Sequence, residues 1–256
     1  MEWKIKHIEE TDSTNQWMRN RLARGQNPAG TVADGNNCGD DCNVVWADYQ
    51  TAGRGCGTNT WESERGKNLL FTMHLTDVTA PGGEGRLTAN RQFHISMVAS
   101  LAICEALGRH IGDLSIKWPN DIYWRNGKIG GMLIEHRLQG EWIRDSIIGV
   151  GLNVNQRAFL SGAPNPVTLW QISEQETDRE QLLRDILQAF GELIREDVGS
   201  RYRSMLYRRK GFHPYTDREG AFMAELVDVA DNGCLLLRDD NGRERSYAFK
   251  EVQYVI

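Results

Sequence analysis

A glycine-rich run from residue 50 to residue 61, QTAGRGCGTNTW, holds residue types suited to binding an anion. Glycine lets the backbone adopt positive φ and approach a ligand closely, so that successive N–H groups converge on phosphate or carboxylate oxygens. Arg54 adds a fixed positive fork, and Trp61 offers a flat face that would cover a ring. The alternative interpretation is a surface hairpin with a glycine-rich turn and a half-buried aromatic residue.

A second chemically informative stretch runs from residue 116 to residue 135 and reads IKWPNDIYWRNGKIGGMLIE. Its pattern predicts a strand, a tight turn, a second strand, an Asn-Gly hairpin and a third strand. This arrangement brings Lys117, Asp121 and Lys128 to one surface of the sheet. Two lysines beside a carboxylate in an otherwise apolar sheet are costly to desolvate unless they serve a ligand. The alternative is a lysine at each strand end whose stem packs on apolar surface while its ammonium reaches water.

Strands and helices must bring these two stretches together, and the hydrophobic pattern predicts both kinds of element in alternation. Side chains able to cap a helix at residues 11–15 precede apolar residues at helical spacing, which predicts a helix from about residue 15 to residue 23. The glycine run follows a predicted buried strand at 44–47. Gly149, Gly151 and Asn153 lie in another buried strand, where small residues permit close approach of a ligand. The remaining predicted elements are strands at 3–8, 31–33, 68–75 and 146–154 and helices at 87–110 and 179–197.

The sequence changes in character after residues 211–214, where short alternating stretches are separated by turns rich in Asp, Asn and Gly. The pattern predicts strands at 221–229, 234–237 and 245–249. An all-β unit of about 45 residues is too small to be very stable unless it packs against the rest of the chain. We therefore predict two domains, residues 1–210 and residues 211–256.

The composition is that of a globular chain, with 256 residues of which 40% are hydrophobic and 25% charged. The formal net charge of −5 argues against a broad nucleic-acid-binding surface, so no nucleic-acid partner is expected. No apolar run approaches the length of a membrane span and no signal peptide is evident, which predicts a cytoplasmic protein without a membrane partner. Five scattered cysteines are typical of reduced thiols, and Cys38 and Cys42 lack the second ligand pair of a zinc site.

Four motifs occur along the chain in this order: TDSTN at 11–15, the glycine run as far as Trp61, KWPND at 117–121 with KIGG at 128–131, and GVGLN at 149–153. Together they resemble the biotin protein ligases, also called biotin–[acetyl-CoA-carboxylase] ligases, over about residues 1 to 250. The resemblance implies an α+β catalytic domain, a mixed sheet with helices on one face like that of class II aminoacyl-tRNA synthetases, and a small C-terminal β-barrel. The first motif begins at Thr11, which leaves no room for the DNA-binding domain of the family's repressors and implies the monofunctional type.

The resemblance also implies the reaction: biotin and ATP form biotinyl-5′-AMP, and the biotinyl group then passes to a lysine of a biotin carboxyl carrier domain. Mg²⁺ would lie on the phosphates, with Asp121 as its protein ligand, directly or through water. Catalytic charge stabilisation would come mainly from Lys128, with Lys117 and Arg54. The implied biotin-binding residues are Ser13, Thr14, Asn15, Gln50, Gly53, Arg54, Gly55, Lys128, Gly130 and Gly131. The implied nucleotide-binding residues are Arg54, Cys56, Trp61, Asn120, Lys128 and Asn153.

One position departs from the family pattern, which usually carries a second arginine two positions after the first. This chain has Cys56 there. Retention of the adenylate would then depend more on backbone N–H groups and on Lys128, so the enzyme would release biotinyl-adenylate more readily than its relatives. Cys56 also raises the alternative of a thiol nucleophile, as in the related octanoyl transferases, which the two lysine-bearing motifs oppose.

Two other functions stay open at this stage. A lipoate or octanoate ligase of the same fold superfamily is the nearer one, although that group does not usually combine the GRG…W and KWPND motifs. The other is a non-catalytic biotin-binding regulator that has kept the pocket, against which Lys117, Asp121 and Lys128 argue. An exposed sheet edge would suggest a homodimer, and the identity of the acceptor does not follow from the sequence.

Overall fold

The computed structural model describes residues 1–25, 42–55, 57, 59–83 and 85–256. The predicted strand at 31–33, Cys38 and Cys56 lie outside the described residues. None of the helices in the described part of the chain is both long enough and apolar enough to cross a membrane.

In the described residues, the larger part of the fold is one seven-stranded sheet with the strand order β1-β2-β3-β7-β6-β5-β4. Only β1 and β2 run parallel, and every other neighbouring pair is antiparallel, so the expected mixed sheet is confirmed. The predicted strand, turn, strand, hairpin and strand of residues 116–135 form β4, β5 and β6. The strands are β1 Ile5–Thr11, β2 Val44–Gln50, β3 Leu69–Thr76, β4 Leu114–Lys117, β5 Asp121–Trp124, β6 Gly127–Gln139 and β7 Trp142–Leu152.

Helices lie on both faces of this sheet. On β2, Val44 and Trp46 belong to the main apolar core, whereas the intervening Val45 belongs to a small cluster with Met18. Because successive strand residues point to opposite faces, α1 covers one face while the longer α2 and α4 cover the other. The family resemblance implied helices on one face. The helices are α1 Thr14–Gly25, α2 Phe93–Leu107, α3 Leu169–Ser173, α4 Arg179–Leu193 and α5 Gly199–Ser204.

The helix predicted from residue 87 begins instead at Phe93. Before it, the backbone of residues 87–89 pairs with the start of β7. The Ile143 N–H donates to the Leu87 carbonyl at 2.9 Å, and the Ala89 N–H donates to the Glu141 carbonyl at 2.8 Å. These tertiary hydrogen bonds replace the helical ones that the apolar spacing predicted.

The C-terminal sheet has five antiparallel strands in the order β11-β10-β9-β8-β12. Its edge strands, β11 and β12, are not paired with each other in the described structure, so the expected barrel is an open one. The sheet begins at Phe212, one residue after the predicted start of the second domain. The Trp118 indole N–H connects this sheet to the main sheet by donating to the Gly233 carbonyl at 2.9 Å. The strands are β8 Phe212–Asp217, β9 Gly220–Val229, β10 Leu235–Asp239, β11 Glu244–Tyr247 and β12 Val252–Tyr254.

Candidate active site

A cavity of about 1130 Å³ opens on the face of the main sheet that carries α1. Its walls are the start of α1, the glycine-rich loop, the β4–β5 turn and the segment 159–166. The end of the C-terminal sheet, from Phe249 to Ile256, closes one side. At this size the cavity is large enough for a ligand of the size of a nucleotide joined to a second small molecule.

Three glycines on neighbouring strands line the floor of the cavity. Gly131 on β6 lies opposite Gly151 on β7, and Gly149 lies two residues before Gly151 on the same face. A Cβ atom at Gly149 would lie 2.1 Å from Asn15 Oδ1, and one at Gly151 would lie 2.5 Å from Trp61 Cε2. The glycines therefore let Asn15 and Trp61 lie directly against the sheet, which side chains at these positions would prevent.

The buried start of α1 forms a polar end of the cavity. Both the backbone N–H and the hydroxyl of Thr14 point to Gln50 Oε1, at 2.8 and 3.1 Å. The carbonyl oxygen of Gln50 is thus occupied, whereas its Nε2 has no hydrogen-bond partner among the described residues. Gln50 therefore presents two free N–H donors beside the cavity.

The Asn15 amide is held at both of its ends. Its Oδ1 accepts from the Thr72 hydroxyl at 2.7 Å, and its Nδ2 lies 3.3 Å from both the Leu133 carbonyl and Glu135 Oε2. Glu135 is fixed in turn by Arg19, whose Nη1 lies 2.5 Å from Glu135 Oε1. These contacts fix the orientation of Asn15 before any ligand binds.

Two lysines and a carboxylate converge on one side of the cavity. Lys128 Nζ lies 2.7 Å from Asp121 Oδ1. Lys117 is paired in register with Asp121 across β4 and β5. Burial lowers the pKa of Lys117 most, Asp121 opposes that effect, and the positive charges of Lys128 and Arg208 add to it. The cluster therefore concentrates positive charge in a partly desolvated site.

The glycine-rich loop is a hairpin that also lines the cavity, so both sequence interpretations hold in part. The Trp61 N–H donates to the Gly53 carbonyl at 3.0 Å, and the Gly55 N–H donates to the Asn59 carbonyl at 2.8 Å. The Arg54 side chain is exposed and has no ion pair among the described residues. Arg54 also lines the cavity, where its guanidinium is placed to meet an anion.

A buried donor and a buried acceptor in the cavity wall lack partners. Trp61 Nε1 and Asn153 Oδ1 are both inaccessible to solvent, and neither has a hydrogen-bond partner in the described structure. Unpaired buried polar atoms cost free energy, and they are typical of sites that a ligand completes.

Comparison with known proteins agrees with this geometry. The Biotin/lipoate A/B protein ligase family model matches residues 39–153. The biotin–[acetyl-CoA-carboxylase] ligase of Paracoccus denitrificans is 30% identical over 224 residues, which cover 78% of this chain and 85% of that protein. This chain belongs to the biotin protein ligases. The family expected from the four motifs is thereby confirmed.

The chain is also similar in sequence to a second relative and in fold to a solved structure. The bifunctional ligase/repressor BirA of Bacillus spizizenii is 27% identical over 224 residues. The match covers 83% of this chain but only 66% of BirA, so the chain spans just under two thirds of that relative. The structure of the Aquifex aeolicus biotin protein ligase in complex with biotin and ATP has a TM-score of 0.72, covers 98% of this chain and 99% of its own, and is 23% identical. This last likeness confirms the fold.

The structure brings most of the predicted site residues of this chain to the cavity. Gly53 and Gly130 do not line it. Contrary to expectation, Gly130 lies on the other face of β6, where an added Cβ would be 2.3 Å from Leu152 Cδ2. Gly53 lies behind Trp61, since its Cβ would be 2.8 Å from the Trp61 carbonyl oxygen. The predicted residues that line the cavity are Ser13, Thr14, Asn15, Gln50, Arg54, Gly55, Trp61, Lys117, Asn120, Asp121, Lys128, Gly131 and Asn153.

Sequence reasoning missed wall residues that come from distant parts of the chain. Tyr254, on β12, places its ring beside Lys117. Glu62, which also lines the cavity, contacts the segment after β7. Thr72 does not line the cavity but holds Asn15 from β3. The strand pattern alone carried no signal for Tyr254, because only the docking of the C-terminal sheet brings it to the cavity.

The residues present fit a magnesium ion held mainly by a substrate. In the described residues, no group of three His, Cys, Asp or Glu side chains is placed to hold a metal. Asp121 supplies one carboxylate, whose Oδ1 contacts Lys128 and whose Oδ2 has no partner in the described structure. Mg²⁺ is usually bound by one or two carboxylates together with substrate phosphates and water, so a single carboxylate suffices.

Proposed function

We propose that this chain uses ATP to activate biotin as biotinyl-5′-AMP and then transfers the biotinyl group to a lysine of a biotin carboxyl carrier domain. The observation that carries the proposal is the convergence of Lys117, Asp121 and Lys128 at the cavity, beside the glycines of its floor. Buried polar atoms that have no hydrogen-bond partner among the described residues lie next to this cluster. Relatives support it through their names, which include biotin–[acetyl-CoA-carboxylase] ligase. Solved structures of related fold contain biotin and ATP or biotinyl-5-AMP.

In the first half-reaction a biotin carboxylate oxygen attacks the α-phosphorus of ATP. A carboxylate–phosphorus bond forms, the bond to the bridging oxygen breaks, and pyrophosphate leaves with that electron pair. Two anions must approach each other, which is electrostatically unfavourable in a desolvated cavity. Lys128 and Lys117 lower that barrier from the sheet, and Arg54 does so from the glycine loop.

The polar end of the cavity suits the ureido ring of biotin. A buried neutral ring of this kind needs each donor and acceptor matched. Gln50 Nε2 offers two donors for the ureido oxygen. The hydroxyls of Ser13 and Thr14 can each donate or accept a further hydrogen bond with the ring. Asn15 lies beside them in a fixed orientation.

The nucleotide would lie toward Trp61 and Asn153. Trp61 presents a flat ring, with Lys128 Nζ 5.9 Å from its centroid. Asn153 presents a buried carbonyl oxygen that has no partner among the described residues. Asn120 lies in the same wall, with its Nδ2 donating to the Met132 carbonyl at 2.8 Å. An adenine ring would stack on the face of Trp61. A ribose hydroxyl or the adenine amino group would donate a hydrogen bond to the Asn153 carbonyl oxygen.

Mg²⁺ when bound would neutralise phosphate charge, and Asp121 is the residue that would hold it. In the second half-reaction the acceptor amine attacks the carbonyl carbon of the mixed anhydride, the amide forms, and AMP leaves. The amine loses a proton to water, and the leaving AMP keeps the electron pair of the broken bond. The positive cluster then stabilises the departing phosphate.

Mass spectrometry of a carrier domain tests the proposal directly. The purified chain is incubated with biotin, Mg-ATP and a biotin carboxyl carrier domain, and the carrier is weighed before and after. The expected result is a mass increase of one biotinyl group that requires ATP and is lost when the acceptor lysine is replaced by arginine. Lipoate in place of biotin should give no increase.

Other outcomes would assign other functions. If the carrier were modified only with lipoate or octanoate, the chain would be a lipoate or octanoate ligase of the same fold superfamily, and biotin would not be its substrate. Biotin binding without AMP formation would identify a binding protein and would refute the proposed chemistry.

A further inference from the structure

Lys117 is held by aromatic faces rather than by an acceptor. Its Nζ lies 5.3 Å from the centroid of Tyr123 and 5.2 Å from the centroid of Tyr254. Among the described residues it has no ion pair or hydrogen bond. Lys128, by contrast, contacts Asp121 at 2.7 Å. An ammonium between two π faces is stabilised while its three N–H donors stay free for a substrate anion.

The two rings come from different sheets. Tyr123 lies on β5, next to β4 and Lys117, whereas Tyr254 lies on β12 of the C-terminal sheet. Tyr254 is paired in register with Tyr215 on β8, and their ring centroids are 4.9 Å apart. The Arg208 guanidinium also donates to the Val255 carbonyl at 2.8 Å. Tyr254 is therefore fixed in position by backbone pairing and by its neighbours.

Backbone contacts connect this aromatic group to the strand that carries Lys117. The Ile116 N–H donates to the Met205 carbonyl at 2.8 Å, and the Tyr207 N–H donates to the Ile116 carbonyl at 2.9 Å. The Tyr207 ring lies 5.1 Å from Tyr123 and 6.2 Å from Tyr254. The position of Tyr254 is thus linked to Lys117 through both backbone and rings.

The hydroxyl of Tyr254 is not the group that contacts Lys117. It is buried and has no hydrogen-bond partner in the described structure. The ring, and not the hydroxyl, contacts Lys117, so a phenylalanine at this position would keep that contact. The feature that Tyr254 supplies to the cavity is the face of its ring.

We propose that Tyr254 is a positioning residue for biotin activation: with Tyr123 it clamps the Lys117 ammonium in the cavity and leaves its N–H donors free for substrate oxygens. The C-terminal sheet thereby contributes to the chemistry as well as to the cavity wall. This inference rests on the proposed biotin-activating function.

The charged groups around Lys117 define how its protonation responds to loss of the clamp. Asp121 favours the ammonium, Lys128 and Arg208 disfavour it, and burial lowers its pKa most. A leucine at position 254 keeps the site buried but removes one π face. The pKa of Lys117 should therefore fall further, because the charged form alone loses stabilisation.

Three variants test the clamp by biotin-dependent exchange of pyrophosphate into ATP, measured across pH. Tyr254→Leu should lower kcat by about tenfold, since one desolvated cation–π contact is of that order. KM for biotin should stay within about twofold of its value in the unmodified chain, and the basic limb of the pH profile should move to lower pH. Tyr254→Phe should match the unmodified chain, because the ring is kept.

Phe222→Leu is the matched control within the same sheet. The Phe222 ring stacks on Tyr215 with centroids 6.0 Å apart, and the Arg245 guanidinium lies 4.5 Å from its centroid. The Phe222→Leu variant therefore also loses a ring and a cation–π contact, but Phe222 does not contact Lys117. If Phe222→Leu and Tyr254→Leu lower kcat equally, or if the basic limb does not move, Tyr254 has only a structural role and the inference is overturned.

A second readout separates this inference from the proposed function. The pH dependence of Lys117 acetylation by acetic anhydride, followed by peptide mass spectrometry, needs no catalytic turnover. Its midpoint should fall in Tyr254→Leu and stay unchanged in Phe222→Leu. An unchanged midpoint in Tyr254→Leu overturns the clamp. Absence of biotin-dependent exchange in the unmodified chain would instead refute the proposed function.

Discussion

The ammonium of Lys128 lies 2.7 Å from Oδ1 of Asp121, across the hairpin of β5 and β6. The two side chains are 32% and 25% exposed, so water screens the pair only in part. The contact aims Lys128 into the cavity before substrate arrives. A phosphate or carboxylate oxygen entering the site would then meet a lysine that is already oriented.

Replacing this lysine should abolish activation and leave the fold intact. Lys128→Ala is expected to lower biotin-dependent pyrophosphate exchange by about 10²-fold or more, because one preorganised charge aimed at the reacting group is worth that much. The melting temperature should change little, since the partly exposed pair contributes little to stability. Exchange kinetics and thermal unfolding, measured on the same preparation, check both statements.

Lys67→Ala is the control for this substitution. Lys67 forms an exposed ion pair with Glu176 at 3.7 Å and does not line the cavity. It should retain full activity. A folded Lys128→Ala variant with normal exchange would remove Lys128 from the mechanism.

Adding one methyl group to the cavity floor should displace Trp61. A Cβ at Gly151 would lie 2.5 Å from Trp61 Cε2, closer than non-bonded carbons approach. In Gly151→Ala we expect kcat/KM for adenylation to fall, by up to about 10²-fold if the ring moves by about 1 Å. Gly112→Ala is the matched control, since its Cβ would meet nothing within 4 Å. Equal kinetics for the two variants would contradict the placement of Trp61 against the floor.

Local signals predicted the part of the fold that carries the charged cluster. The Asn-Gly turn and the alternation of residues 116–135 are sufficient to specify β4, β5 and β6, because each depends on neighbours in sequence. β8 and β12 were missed. β8 contains Pro214, which argues against a strand, and β12 has only three residues, Val252–Tyr254. β12 pairs with β8, which lies far from it in sequence, so its pairing is not a local property. β8 also pairs with its sequence neighbour β9, but the proline hides that hairpin from the strand pattern.

The adjacent glycines of β6 show where site prediction from sequence stops. Gly130 and Gly131 belong to the same motif, yet only Gly131 lines the cavity. Strand residues alternate between faces, so the register decides which glycine faces the ligand. A register irregularity between Ile122 and Tyr123 lies directly beside this motif, and the motif does not reveal it.

Stability should fall in mild acid because of a partly buried histidine. Burial lowers the pKa of His136 from 6.5 to about 4, and its Nδ1 lies 2.9 Å from the Ser146 hydroxyl. As pH falls below 6.5 the unfolded chain gains a proton that the folded chain does not take up until about pH 4. The free energy of unfolding is therefore expected to decrease through this window and to be regained as pH rises.

His136→Asn should weaken that pH dependence, since an amide can take the place of Nδ1 toward Ser146 without titrating. Urea unfolding at intervals from pH 4 to pH 6.5 measures it. Burial also lowers the pKa of His74 and His94, so part of the dependence should persist. His110→Asn, at an exposed histidine, is the control. An unchanged slope in His136→Asn would show that this residue is not a source of acid sensitivity.

Glu62 holds the segment after β7 beside the cavity. Its Oε1 accepts from the Leu160 N–H at 2.7 Å, and its Oε2 accepts from the Ser161 N–H at 2.8 Å. Burial raises the pKa of this carboxyl, but the hydrogen bonds from Leu160 and Ser161 outweigh that effect and lower it overall. The charged carboxylate is thus the form that anchors the segment.

Glu62→Ala should release this segment, so that chymotrypsin can cleave the peptide bonds that follow Phe159 and Leu160. Removing two charge-assisted hydrogen bonds is expected to speed cleavage there by roughly tenfold or more. Glu62→Gln keeps one acceptor oxygen and should give an intermediate rate. Glu64→Ala, two residues away at an exposed side chain, should cleave like the unmodified chain. If Glu62→Ala and Glu64→Ala are cut at the same rate, the carboxylate of Glu62 does not hold the segment in place.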